Sequence, residues 1–592
     1  MRFSSGSHHP YIWLVLVCLL LLCVPVAGQK RGRPDRAAAD EHYEKGVALL
    51  EQQQVDAAIT ELRLATRLTP NSADAHNALG IALARKGDIR AAAESFRRAV
   101  QIDPKLYEAQ LGLGAALQQS NDTDGAIAAF RQAASIKPTE AEPRMLLGAA
   151  LQQKGNIDAA LVEFREAVRL NPDAPEARSY LGYALGVKGS LPEAIRELEA
   201  AVRLKPDFGE AQYYLGAARW FANDARGAIE ALTAAARLMP DHTNAHYYLG
   251  LALQKNGDLT AAINELEWAV KLSPQLAEAR HALGRALQQD GNPDAAIEAF
   301  REVVRLRPDF VQGHTDLGLA LVQKRDPDGA IAEFNTALKL EPDNLVAHHN
   351  LGMALIQKSD YAAAVAEYRK LLALAPDDAE AHYNLALALK QRDALDEAVA
   401  ELKRAIALQP TTLPEAHYTL GVVLLQQSKL DEAAASFKAA IVAKPDYAEA
   451  HYALGTVFQQ QGKLDEAVAA FRAALRYAPD APEIHNTLGT TLRQKGDMET
   501  ARAEFQEAAR LNKIKSNMQA AAFATNTGIA RLKAGDTDAA IERFEAAIQL
   551  DPTSAQAYYN LAKALQQKGQ QDAARRAYQK AKELDPHLKP LP

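Results

Sequence analysis

Cysteine is almost absent: Cys18 and Cys23 are the only two in 592 residues, and both fall within the first 28. The chain beyond residue 28 therefore holds no disulfide framework and no thiolate metal site. An excess of basic charge is also lacking, since 67 Lys and Arg stand against 74 Asp and Glu for a formal net charge of −7. A mildly acidic chain is poorly suited to a phosphate backbone, so nucleic acid is not expected as a partner. A Walker A sequence and an H-E-x-x-H pair are missing, and Gly112-Leu-Gly114 lacks the third glycine of a dinucleotide fingerprint. No catalytic residue, metal or cofactor is expected, and the reading excludes an enzyme.

What the chain does contain is one phrase restated. Ala448–Ala481, AEAHYALGTVFQQQGKLDEAVAAFRAALRYAPDA, is 34 residues long. Its apolar residues form two helical sets: Ala450, Leu454, Val457 and Phe458, then Leu464, Ala467, Val468, Phe471, Ala474 and Leu475. Both follow the i, i+3, i+4, i+7 spacing of one helix face. Gly462 supplies a left-handed residue between them, and Pro479 lies where the second helix must stop. The unit is a helical hairpin too small to bury both apolar faces, so it must stack on copies of itself.

The copies recur every 34 residues, marked by Pro70, Pro104, Pro138, Pro172, Pro206, Pro240, Pro274, Pro308, Pro342, Pro376 and Pro410, with Pro445, Pro479, Pro552 and Pro586 extending the series. Counting Lys513 as a substituted proline gives sixteen repeats between Ala39 and Leu588, with one extra residue near Thr412 and five between Ser516 and Ala520. With Ala448 as position 1, position 8 is Gly in fourteen repeats and Ala386 or Ala562 in the others, position 20 is Ala in all sixteen, and position 24 is Leu, Phe or Tyr. This register resembles the tetratricopeptide repeat family. The resemblance implies an all-α solenoid, a right-handed superhelix of helical hairpins whose first helices line a concave groove that binds peptides and proteins. Small residues at 8 and 20 let helices approach closely, and the large residue at 24 fills the gap to the neighbour.

The N-terminus is of another kind. Arg2 precedes the apolar run Tyr11–Val24, broken by Pro25 and followed by Val26, Ala27 and Gly28. Residues 1–28 read as a secretory signal peptide cleaved after Gly28, which implies export to a periplasm or the exterior. The rival is an uncleaved anchor through residues 11–27, because Lys30, Arg31, Arg33 and Arg36 place the larger positive charge after the run. Residues 29–38 read as a basic linker, 39–515 as repeats one to fourteen, 516–588 as repeats fifteen and sixteen, and 589–592 as a tail. In repeat fourteen the outer positions 21 and 28 are Arg502 and Ala509 where most repeats carry Ile, Val or Leu. That, with Lys513 and the insertion, predicts a break or kink before repeat fifteen.

Nine histidines occupy position 4: His42, His76, His246, His314, His348, His382, His417, His451 and His485. Repeats spread them along the array, so a structural duty is expected rather than a metal site. The groove is the place for function. Positions 2, 5, 9 and 12 form a second stripe on the first helix, and position 2 is acidic in eleven repeats, Glu380 and Glu449 among them. Two readings stay open: carboxylates that attract a basic ligand, or acids that favour the helix dipole. Tyrosine stands at position 5 in Tyr213, Tyr247, Tyr383, Tyr418 and Tyr452, and repeats five to seven add Tyr183 and Trp220. Concentrated aromatics are what binding hot spots use, though rings also pack between hairpins. These seven residues are the candidate partner-binding set.

Two specialisations of the family do not fit this chain. The clamp for chaperone C-terminal carboxylates resembles Lys at position 5 with Asn or Arg at 9, which this chain lacks. The Asn ladder at position 6 of O-linked N-acetylglucosamine transferases is matched only by Asn350, Asn384, Asn526 and Asn560, with no transferase domain. The expected function is a non-catalytic scaffold holding a peptide or helix of another protein in the groove, possible roles being cell-envelope assembly or export. A passive spacer or self-assembling rod, and a regulatory arm for a separate enzyme such as a glycosyltransferase, are the alternatives. Oligomeric state and partner are left open.

Overall fold

The computed structural model describes residues 34–409, 413–588 and 590–591. The apolar run Tyr11–Val24, and with it the choice between cleaved signal and anchor, lies outside the described residues. Among the described residues the secondary structure is helical, in 31 helices from Pro34–Glu51 to Gln571–Leu584. Sixteen hairpins would need 32, and the difference is a single fusion treated below. The first helix starts at Pro34, so 34–38 is helical rather than linker.

Each hairpin is closed by the residue at position 15, which adopts a left-handed conformation throughout. Glycine fills nine of these sites, from Gly87 at φ 88° to Gly569 at 83°, and Gln53, Asn121, Asn223, Arg325, Ser359, Asp393 and Ser428 fill seven more at φ 59–68°. A side chain there costs about 1–2 kcal/mol that glycine avoids. The next residue caps the second helix: Asp88, for example, accepts from the Ala91 backbone N–H at 3.1 Å, and Asn156 from that of Ala159 at 3.3 Å. Ser190, at the same position, makes no such bond.

Packing inside a hairpin follows the small-to-large rule. A Cβ on Gly455 would lie 2.6 Å from the Phe471 ring, and one on Gly80 2.8 Å from Phe96. The position 24 rings Phe96, Phe130, Phe164, Phe300, Phe334, Phe437, Phe471 and Phe544 are all fully buried. Phe96 also meets Gly112 of the next repeat, where a Cβ would lie 2.5 Å away. One ring therefore joins two hairpins, and glycine is required on both sides of it.

The chain divides into two compact units, residues up to Lys324 and residues from Arg325 onward. In the first, one hydrophobic cluster runs unbroken from Val47 to Ala252. In the second, the cluster of Ala467–Ala501 is separate from that of Ala540–Ala577. Between them the turn expected near Lys513 is absent. Met498–Lys533 is one helix of 36 residues that merges the second helix of repeat fourteen with the first helix of repeat fifteen. No Gly or Pro occurs from Met498 to Thr527, and Ala, Lys, Gln and Met there are good helix formers. The interruption of the repeat is thus made by added helix, not by a loop. Phe523, at a position 3 that is small in most repeats, is 76% exposed.

Candidate partner-binding groove

Within each unit, first helices of many successive repeats touch one another, among them those of repeats ten and eleven and of repeats twelve and thirteen, whereas no contact of that extent joins successive second helices among the described residues. First helices therefore sit on the inner side of the local curvature. Their position 12 and 13 amides link across repeats: Gln118 Nε2 donates to Gln153 Oε1 at 3.2 Å, Gln254 to Gln289 at 2.9 Å, and Gln459 to Gln494 at 3.4 Å. Near the turns, Lys154 pairs with Asp124 of the previous repeat at 2.6 Å, and Lys358 with Asp328 at 2.6 Å. These bonds hold successive repeats in one register.

The position 4 histidines serve the scaffold. His246 places Nδ1 2.6 Å from Glu265 Oε2 and Nε2 3.0 Å from the Pro240 carbonyl. His382 does the same with Glu401 at 2.5 Å and Pro376 at 3.0 Å, and His485 with Glu504 at 2.6 Å and Pro479 at 3.2 Å. Each ring pins the inter-repeat turn to the second helix of its own hairpin. His348 is held by Glu367 and the Pro342 carbonyl, while the adjacent His349 stacks edge-on against Tyr368 at 6.0 Å. Among the described residues no three His, Cys, Asp or Glu side chains converge on a point.

The aromatics of repeats five to seven form one packed cluster in the first unit. Tyr183 meets Tyr214 at 4.6 Å, Tyr213 meets His242 at 4.5 Å and Tyr214 at 5.4 Å, and Tyr247 meets Tyr248 at 5.1 Å. Tyr213 is only 7% exposed. Burial pushes its phenol far above the ordinary range, with Tyr248 and Tyr183 adding to the shift. Burial likewise raises Tyr183, and raises Tyr247 to about 12 with help from Tyr248 and Glu278. Tyr213 therefore belongs to hairpin packing, a correction to its place in the candidate set: at this position the inner face is already closed by its neighbours. Tyr183, Trp220 and Tyr247 keep part of their surface in solvent, Trp220 beneath the Lys255 ammonium at 5.4 Å.

Tyr383, Tyr418 and Tyr452, in the second unit, line a more open surface. Each is half-buried. Tyr418 rests on Phe437 at 5.7 Å and Tyr447 at 5.2 Å, and Tyr452 on Phe471 at 5.6 Å with its hydroxyl 3.2 Å from Thr487 Oγ1. Position 9 shows the contrast along the array. In repeats one to four Val47, Ile81, Ala115 and Ala149 are buried there, whereas in repeat ten Met353 is 37% exposed, and Leu387 and Val422 are half-buried in repeats eleven and twelve. Val346, at the position 2 that is usually acidic, is 59% exposed. Sequence reasoning missed these four because it searched for rings. The available signal was an apolar residue at a position that packing does not bury.

Carboxylates edge the same surface. Glu380, Glu415 and Glu449 are exposed at position 2 of repeats eleven to thirteen. Their field is felt nearby: burial pushes the Tyr447 phenol up to about 12, reinforced by Glu415, Tyr418, Glu449 and Tyr383, and Tyr418 is raised by burial and then by Glu449. The opposite edge is neutral or basic, with Gln357, Gln391, Gln426 and Gln460 exposed at position 13 and the half-buried Lys390 at position 12.

Comparison with known proteins gives the family. One tetratricopeptide repeat model matches residues 43–107, 145–207, 213–277, 281–344, 349–412 and 452–513. Related repeat models match 83–150, 423–462, 528–569 and 555–588. No curated protein sequence matches the chain. Among solved structures, MamA from Desulfovibrio magneticus RS-1 is 25% identical over 29% of this chain and 96% of its own, with a TM-score of 0.27. YrrB, described as a TPR protein with an unusual peptide-binding site, is 23% identical over 31% of this chain and 95% of its own, with a TM-score of 0.28. The APC/C hetero-tetramer Cut9–Hcn1 is 14% identical over 79% of this chain and 96% of that one, with a TM-score of 0.32. With its repeats matched over more than half of its length, the chain belongs to the tetratricopeptide repeat family.

Proposed function

We propose that this chain is a non-catalytic interaction scaffold that holds a segment of another protein along the inner face of its first helices, with repeats ten to thirteen as the principal contact. The observation that carries this reading is the exposure of Val346 and Met353 on that face. An apolar side chain left in water at a site where packing does not need it costs free energy that binding would recover, roughly 25 cal/mol per Å² covered. The N-terminal apolar run supports placing the scaffold outside the cytoplasm, where envelope assembly or export would supply its partners.

Site-specific photo-crosslinking tests the reading. A benzoylphenylalanine in place of Met353 should crosslink a discrete partner in cells of origin, while the same probe in place of Val442, 81% exposed on a second helix, should not. Crosslinks at neither position, in an array that also tolerates deletion of whole repeats, would move the assignment to a passive spacer.

A further inference from the structure

Resting on the groove reading above, we infer that repeats ten to thirteen accept an amphipathic α-helix whose apolar stripe is bordered on one side by Lys or Arg. Three features of the surface specify it. Its floor is apolar across three successive repeats at position 9, through Met353, Leu387 and Val422, flanked at position 12 by Ile356 and Leu425 with Lys390 between them. Its two edges differ in charge. Along one run the carboxylates Glu380, Glu415 and Glu449; along the other run exposed glutamine amides and the Lys390 ammonium. A ligand with basic residues on both sides would meet Lys390, and one with acidic residues on the first side would meet three carboxylates. Only a one-sided basic border suits both edges.

Size selects a helix. Positions 2 and 13 are separated by eleven residues of first helix, about 16 Å, and a helix with its side chains is about 10–12 Å across. Neighbouring helix axes lie roughly 10 Å apart, so the apolar floor and its borders extend about 30 Å along the array. That matches about 20 helical residues at 1.5 Å each. The row of acids has a second duty at helix N-termini, where it favours the dipole. That duty holds in the other repeats too, but in repeats eleven and twelve it coincides with an open apolar floor. In repeats two to four the acids Asp74, Glu108 and Glu142 border a floor closed by buried Ile81, Ala115 and Ala149.

The test uses the purified full chain and two synthetic peptides of about 20 residues. Both carry Leu at i, i+3, i+4 and i+7 with Gln along one border; the other border is Lys in the first peptide and Glu in the second. Fluorescence anisotropy at about 0.05 M salt should give the Lys peptide at least about tenfold tighter binding, narrowing at about 0.5 M as the charges are screened. The variant Glu380→Gln/Glu415→Gln/Glu449→Gln should lose about tenfold toward the Lys peptide and gain affinity for the Glu peptide, because the like-charge repulsion is removed with the attraction. The variant Val346→Ser/Met353→Ser, which removes apolar surface without adding charge, should weaken both, with unchanged far-UV circular dichroism because both sites are exposed. Equal affinity for the two peptides would overturn the basic border while leaving the groove in place. Binding of neither, or binding indifferent to the Val346→Ser/Met353→Ser change, would remove the groove itself. A bound peptide without helical dichroism would overturn the helix. A chain that sediments as a dimer, and as a monomer once Met353 is changed to Glu, would put a second copy on the face instead.

Discussion

Gly455 and Phe471 give the sharpest test of how the hairpins are built. A methyl at residue 455 would stand 2.6, 2.7 and 3.0 Å from the Cε1, Cδ1 and Cζ atoms of Phe471, and both residues are buried. Helix propensity alone says that Gly455→Ala stabilises, by about 1 kcal/mol in a helix interior. Overpacking a closed core costs about 1–3 kcal/mol, because the fully buried ring has nowhere to move. The expected net effect is a loss of about 1 kcal/mol. The chain contains its own controls: repeat eleven carries Ala386 at the equivalent position, opposite Leu402, both completely buried, and repeat sixteen carries Ala562 opposite Tyr578, a ring that is only half-buried and so can shift where Phe471 cannot. Phe471→Leu alone should cost about 1–2 kcal/mol, a fraction of the range for truncating a buried ring to Ala. In the double variant the alanine no longer meets a ring, so the two changes should fall short of additivity by about 1–2 kcal/mol. A long array does not unfold in one step, so the assay is local: native-state hydrogen exchange of the amides in Ala448–Tyr477, where about 1 kcal/mol appears as roughly a fivefold change in rate. Slower exchange in Gly455→Ala, or strict additivity in the double variant, would refute the packing argument.

Three further outcomes are expected. Ser359→Gly and Ser428→Gly, at turn residues with φ 66° and 59°, should each stabilise the local hairpin by roughly 0.5–1 kcal/mol in the same exchange assay, while Gly462→Ser should do the reverse. Tyr247 and Tyr447 have phenols raised to about 12, and Tyr213 is raised further. In the unfolded chain these groups ionise near 10. Their contribution is therefore full below pH 10 and is lost as pH rises toward 12, so ultraviolet titration should show phenolate forming together with loss of helix. Finally, limited proteolysis should spare Asn512–Ala520, because that stretch is helical. Lys513→Pro should cost about 3 kcal/mol there and open a cleavage site; ready cleavage of the unaltered chain would contradict the continuous helix.

Much of the architecture was legible in residue spacing. Two apolar sets at helical period, glycine or asparagine at position 15 and proline at position 32 determine a hairpin through local backbone preferences and side-chain direction alone. Sixteen copies in register then determine an array, since no single copy can bury its own faces. The fused helix is also written in the chain, in the lack of any Gly or Pro from Met498 to Thr527, but a substituted proline by itself does not distinguish a weakened turn from no turn at all. The candidate site was legible only in part. Tyr213 and Tyr383 occupy the same position 5, yet one is enclosed by Tyr214, His242 and Tyr248 and the other keeps an open edge. Ala149 and Met353 share position 9, one buried and the other in solvent. The sequence by itself determined which residues face inward on each first helix, because that follows from a 3.6-residue period. Which of those inward residues remain open to a partner was decided only in the tertiary structure, because exposure depends on how large the neighbouring repeats' side chains are and how closely their helices approach.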